Sequence, residues 1–151
     1  MRPASLDDAD FILEWRNDPE TRKHSRNSDV ISTERHEAWM RRVLDNEEQT
    51  LLVGVDEHGL PVGVVRFDVE RDGDEISINL APSRRGQGLG RELLTAALAW
   101  HDGFAPSRAV IAQIHRDNTA SQRLFRGAGF VPLRSEGEFA VLARPVVDVA
   151  T

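Results

Sequence analysis

The 151-residue chain contains no cysteine, no tyrosine and only two methionines. Without cysteine it has neither disulfides nor thiol chemistry, which fits a reducing compartment such as the cytoplasm. Without tyrosine no phenol is available as a proton donor. Long apolar runs are missing too, so no segment approaches the length of a membrane span. The opening "MRPASLDDAD" has no apolar run of signal-peptide type. Internal repeats, linkers and low-complexity tracts are absent. An excess of positive charge is lacking: the net charge of −6 argues against nucleic acid as a partner. The length is that of one domain with a full core, taken as residues 1–151.

The charge that is present is unevenly placed. Residues 1–80 carry 10 Lys/Arg against 19 Asp/Glu, and residues 81–151 carry 9 against 6. That division suits a chain holding an anionic cofactor with one half and a cationic substrate with the other. Ordinary scatter of surface charge accounts for it equally well.

The most distinctive stretch is "LAPSRRGQGLGRELL", residues 80–94. Gly86, Gly88 and Gly90 alternate just before a helical pattern, and Arg84 and Arg85 just precede them. Glycine permits positive φ and close approach of a ligand to the backbone. The first N–H groups of a helix have no partner inside it, and the helix dipole makes that end positive. Together these features favour an anion site; a glycine-rich turn with two solvated arginines is the plain alternative. The spacing G-x-G-x-G misses the dinucleotide fingerprint by one residue. Arg91 after Gly90 excludes the nucleotide P-loop.

Periodicity and turn signals predict a short strand at 2–4 and a helix over 7–17 ended by Pro19. They predict a helix capped by Ser32 running to Asn46, strands at 50–55, 62–69 and 75–80, and a helix from Leu89 to about His101. A strand over 108–114, a helix over Thr119–Gly127 and strands near 130–135 and 138–144 follow. The order β-α-α-β-β-β-α-β-α-β-β implies an α/β (α+β) fold. Its central mixed, mostly antiparallel sheet has six or seven strands, with about four helices and one parallel crossover. If Asp72-Gly73 is a two-residue hairpin tip, Val69 faces Ile76, Phe67 faces Ile78 and Val65 faces Leu80. The other face then pairs Glu70 with Glu75, Asp68 with Ser77 and Arg66 with Asn79. So polar a face is either solvated or the wall of a polar cleft.

Arg85, Gly88 and Gly90 match R-x-x-G-x-G, and "HRDNTASQRLFRGAGFVP" at 115–132 matches N-x-x-S-x-x-L-Y-x-x-x-G-F through Asn118, Ser121, Leu124, Gly129 and Phe130. On these two motifs the chain resembles the GNAT superfamily of acetyl-CoA-dependent N-acetyltransferases along essentially its whole length. The resemblance implies that Arg84, Arg85, Gly86, Gln87, Gly88, Leu89 and Gly90 hold the coenzyme A pyrophosphate. It implies that Ile78, Asn79 and Leu80 pair with the pantetheine arm in a splay between two parallel strands. Asn118, Ser121 and Phe125 match positions that contact coenzyme A from the other side. Phe125 stands where the family often has a tyrosine that protonates the leaving thiolate, so that role does not carry over. His115, Ser121 and solvent are the substitutes.

Glu75 matches the family's β-strand glutamate base, with Asp68 as second choice and Ser77, with Asn79, as the anchor of a water path. The plain alternative for Glu75 is a solvated hairpin residue. Acceptor selectivity in this family lies in the first two helices and their loop, where Trp15, Arg16, Asn17, Arg22 and His24 are the expected contacts, joined by Arg66 from the sheet. Singly, Trp15 and Trp39 also read as core residues. The pattern W-R-N…I-S-x-E-x-H-x-x-W is similar to acetyltransferases of amino-sugar nucleotides of the pseudaminic acid pathway type. W-R-N alone also resembles enzymes that acetylate ribosomal protein N-termini. Three functions follow: a small-molecule N-acetyltransferase, a protein N-terminal acetyltransferase, or a non-catalytic coenzyme A module. The expected partners are acetyl-CoA and a small-molecule amine, with a homodimer left open. Nucleic acid, membrane and metal are not expected; "HEAWM" at 36–40 lacks the second histidine of a zinc site.

Overall fold

A computed structural model of the chain describes residues 1–146. Seven strands form one sheet: β1 (Arg2–Pro3), β2 (Gln49–Val55), β3 (Pro61–Val69), β4 (Asp74–Leu80), β5 (Val110–His115), β6 (Val131–Glu136) and β7 (Phe139–Arg144). The helices are α1 (Ala9–Arg16), α2 (Pro19–Lys23), α3 (Thr33–Asp45), α4 (Leu89–Phe104) and α5 (Thr119–Gly127). Strand order is β1-β2-β3-β4-β5-β7-β6, antiparallel except between β4 and β5.

The alternation of each strand decides which helices cover which face. Leu52, Val65, Phe67 and Ile76 turn to one side, where α4 and α5 bury them with Leu93, Leu94, Leu98 and Phe125. Leu51 and Val64 turn to the other, where α1 and α3 supply Ile12, Trp15, Met40 and Val43. The starts of two of these helices are fixed by short polar side chains. Ser32 Oγ accepts from the Arg35 amide, and Asp18 accepts from the Thr21 amide. Asp18 and Pro19 thus begin a short helix, α2, at the point where proline predicted only an ending; proline is tolerated at the first helical position. The α4 helix runs on to Phe104, past the expected His101.

The β3–β4 register differs from the two-residue hairpin. Val69 pairs with Asp74, Phe67 with Ile76, Val65 with Ile78, Asp68 with Glu75 and Arg66 with Ser77. The connection is four residues, closed by the Glu70 amide donating to the Gly73 carbonyl. Two contacts draw Asp74 into the strand. Asp74 is 2% exposed; its carboxylate receives Arg108 Nε at 2.7 Å and bonds His101 Nε2 at 2.7 Å. Gly73 lies so close to the Ala109 carbonyl oxygen that a Cβ would come within 2.7 Å of it. A shift of two residues keeps every side chain on its own face. The polar face therefore survives with different partners, and Glu70 leaves it for the loop.

Candidate active site

The parallel ladder between β4 and β5 consists of only Asp74 with Val110 and Glu75 with Ile111. Beyond these pairs the strands separate, and β4 runs on to Leu80 while β5 runs on to His115. The sheet thus contains a wedge that opens toward the carboxyl ends of both strands, where α/β folds commonly bind ligands. Glu75 is the last paired residue, at the apex.

One side of the mouth is the glycine loop. Gly86 and Gly88 have φ of 75° and 76°, the left-handed region, and an added Cβ at either would meet nothing within 4 Å. Gly88 caps α4 without a side-chain bond. Among the described residues, the amides of Gly86, Gln87 and Gly88 donate to no backbone acceptor. Bare amides at a helix start with open space above them fit an anionic group such as a pyrophosphate. Gly90 faces α5 rather than open space, since a Cβ there would lie in ordinary contact with Leu124, at 3.5 Å. Gln87 bonds back to the Ser83 carbonyl. Asn118 caps α5 by accepting from the Ser121 amide, on the opposite side of the mouth.

The loop arginines do not stand free. Arg84 reaches Asp56 at 2.8 Å. Arg85 reaches Asp18 at 2.9 Å and Thr21 Oγ1 at 2.7 Å, tying the loop to α2. Phe125, expected to contact the cofactor, turns into the core. It is 2% exposed, edge-on to Phe130 in the core, because an apolar ring gains more from burial than from lining a polar mouth.

The face of the wedge that looks toward α1 and α2 carries Arg66, Asp68, Glu75, Ser77 and Asn79. The Glu75 side chain is 13% exposed and is paired with Arg26 from the segment after α2. Burial pushes its pKa up; Arg26 pulls it down, and Asp68 and Glu70 push it up further. Asp68 is more firmly held, accepting from Gln49 Nε2 at 2.8 Å and Arg66 Nε at 3.0 Å. Arg66 also lies 5.5 Å from the centre of the Trp39 ring. His24, ending α2, approaches His115 at the end of β5, with ring centres 5.8 Å apart. His115 Nδ1 accepts from the Asp117 amide, leaving Nε2 facing Glu138 at 3.5 Å.

Of the expected acceptor contacts, three are engaged within the fold. Trp15 is 9% exposed and packs on Phe11 in the core. The Asn17 side chain bonds both the amide and the carbonyl of Ile31. Arg22 bonds the carbonyls of Asn17 and Ser28. Asn17 and Arg22 brace the segment that delivers Arg26, whose place beside Glu75 no sequence motif signalled. Two surface grooves lie away from this face, one beside Trp100 and Phe104 and one between His58, Arg84 and Glu92. Neither reaches Glu75, and the wedge is the better candidate because backbone donors and a perturbed carboxyl converge on it. No group of three or more histidines and carboxylates among the described residues is arranged to hold a metal.

A family model described as an acetyltransferase (GNAT) domain matches residues 1–131. The chain belongs to the GNAT acetyltransferase family. It is an acetyl-CoA-dependent N-acetyltransferase by that membership. No curated protein matches this acetyltransferase in sequence. Similar solved structures include spermidine N-acetyltransferase from Vibrio cholerae, crystallised with CoA and spermine, at 18% identity and a TM-score of 0.83. That alignment covers 94% of this chain and 90% of the other. A domain from Methanocaldococcus jannaschii aligns at 21% identity and a TM-score of 0.81, covering 94% of both chains. A protein assigned as a phosphinothricin N-acetyltransferase aligns at 22% identity and a TM-score of 0.81, covering 97% of this acetyltransferase and 98% of that chain. At these identities the three share the fold.

Proposed function

We propose that this acetyltransferase acetylates a primary amine of a small molecule, with Glu75 as the base. The observation that carries the reading is the position of Glu75 at the apex of the wedge, largely shielded from water, on a polar face between the glycine loop and the first helices. Acetyl-CoA supplies a thioester acetyl group. The amides of Gly86, Gln87 and Gly88 and the start of α4 would hold its pyrophosphate, and the unpaired edge of Ile78, Asn79 and Leu80 would take its arm. Arg84 and Arg85 would reach the phosphates by leaving Asp56 and Asp18.

An amine attacks only when neutral, so a group must take its proton. Glu75 accepts that proton, directly or through water. Burial that favours its protonated form makes it a stronger base than a carboxylate in water. Asp68 holds Arg66 in place and is the second candidate. Ser77 lies between Glu75 and Asn79 on the same face and would carry a bridging water. With no tyrosine in the chain and Phe125 buried, His115 Nε2 or solvent returns a proton on the leaving-group side.

The first candidate acceptor is an amino-sugar nucleotide, on the likeness of "WRN" and "ISTERHEAW" to such enzymes, with Arg16, His24 and Arg66 as contacts. The assay is thiol release from acetyl-CoA across sugar-nucleotide amines, N-terminal peptides and polyamines. Turnover confined to N-terminal peptides would transfer the reading to protein acetylation. Coenzyme binding without turnover on any amine would leave a binding module.

A further inference from the structure

Deepening the proposed function, and resting on it, we infer that Arg16, Arg35 and Trp39 form a subsite for an anionic group carried by the acceptor amine, a carboxylate or a phosphate, beside the site of proton transfer. The guanidinium of Arg16 lies 4.4 Å from the centre of the Trp39 ring. Its Nη1 atom is buried and, among the described residues, donates to no group. A buried donor without a partner is costly, and for a cation more so. Arg66, on the same ring, has Asp68 as its counter-charge. Burial lowers the pKa of Arg16, and among the described residues the charges that add to this are Arg66 and Arg35, both positive. A guanidinium disfavoured by its own surroundings gains most from an anion that meets its fork.

The position suits a substrate rather than a structural ion. Arg16 ends α1, Arg35 and Trp39 lie on α3, and Arg66 stands on β3 diagonally across from Glu75. Diagonal neighbours on a sheet face are roughly 7–8 Å apart at the backbone, so Arg66, which shares the Trp39 ring with Arg16, links that ring to the face carrying Glu75. A second buried donor, Asn79 Nδ2, is also unpartnered on this face. The face's carboxylates are already met, Asp68 by Arg66 and Glu75 by Arg26. A polyamine would find its second cation beside Arg16. An amine with a carboxylate or phosphate a few bonds away would find a partner.

The test uses matched acceptor pairs on the whole protein with acetyl-CoA: O-phosphoethanolamine against ethanolamine, and γ-aminobutyrate against butylamine, with spermidine as a polycation. The expected result is that kcat/KM for one anionic member exceeds that of its neutral counterpart by roughly tenfold or more, the worth of one charge-assisted bond. Whichever pair shows the gap identifies phosphate or carboxylate as the group. Arg16→Met, which keeps the stem over Trp39, should shrink that ratio toward one. Equal rates within both pairs, a preference for spermidine, or an equal loss on both members in Arg16→Met would overturn the subsite. Should no amine turn over, calorimetric titration of the native protein with O-phosphoethanolamine decides separately. Binding that ethanolamine does not show sustains the anion subsite while the transfer reading fails, and no binding removes the subsite too.

Discussion

A carboxyl group that burial pushes toward its neutral form titrates later than one in water, and Glu75 is in that position. If it is the base, activity follows its ionised fraction. The acidic limb of the kcat/KM profile should then lie above the ordinary glutamate value of about 4.3. Arg26 favours the charged form, so Arg26→Met should move that limb further up. Such a variant loses rate at low pH and recovers it as pH rises. A limb that stays in place would show that some other group titrates. Glu75→Gln should lower turnover about 10²-fold at neutral pH and remove the limb, with coenzyme affinity kept. Near-native turnover in that variant would exclude Glu75 and bring Asp68 forward. Folding responds in the opposite sense: with its folded pKa raised, Glu75 costs stability as pH climbs from the unfolded value through the folded one. Glu75 was legible because strand alternation places it on the polar face whichever even register is chosen. Arg26 was not, since an exposed arginine in a loop carries no pattern. Asn17 and Arg22 were legible as polar residues in the right segment but not as braces, because a letter does not say whether its donors meet a ligand or the chain's own carbonyls.

At the scale of elements, the glycine loop and the start of β4 are held by opposite means. The loop depends on backbone freedom. A valine at position 88 would have to adopt φ near 76° and would put a branched side chain where the anion should sit. Gly88→Val is expected to weaken acetyl-CoA binding at least roughly tenfold in calorimetry, beyond the backbone strain of about 1–2 kcal/mol that a left-handed residue costs. Full affinity in a folded Gly88→Val protein would move the coenzyme elsewhere. The start of β4 depends on charge. Asp74 is buried between His101 and Arg108, and Asp74→Ala would leave both without their shared partner. A loss of about 3–5 kcal/mol in urea unfolding is expected. Less than about 1 kcal/mol, the size of an ordinary exposed ion pair, would mean that water or Glu70 takes over. The same aspartate explains where sequence reading went astray. Asp72-Gly73 is a strong local turn signal, yet a long-range contact from α4 and the segment before β5 decides the register, and local residues carry no trace of it. Elements with their own caps and periodicity, such as α3 and α5, were legible nearly to the residue.

Over the whole molecule, the acidic first half and basic second half meet through ion pairs. Arg84 goes to Asp56, Arg85 to Asp18 and Arg108 to Asp74. The charge asymmetry seen along the chain thus goes partly into joining its halves, which a count along the sequence cannot reveal. Arg85 then has two competing partners: the carboxylate of Asp18, and the coenzyme phosphate that the family resemblance assigns to it. The two uses predict opposite responses. If Arg85 exchanges Asp18 for phosphate, Asp18→Asn frees it and acetyl-CoA should bind a few-fold more tightly, while Arg85→Ala weakens binding. If Arg85 only braces α2 against the loop, both substitutions loosen the same contact and both weaken binding. Asp18 also caps α2, and asparagine keeps that cap, so the substitution isolates the charge. Exchange is the expected outcome. The pair is partly solvent-exposed and contributes little by itself, whereas a pyrophosphate offers more charge and several acceptors. Calorimetry at low and high salt completes the test. The tightening in Asp18→Asn should be largest at low ionic strength and fade as salt screens it. Weaker binding in Asp18→Asn at both salts would make Arg85 a brace and leave the phosphates to the loop amides alone.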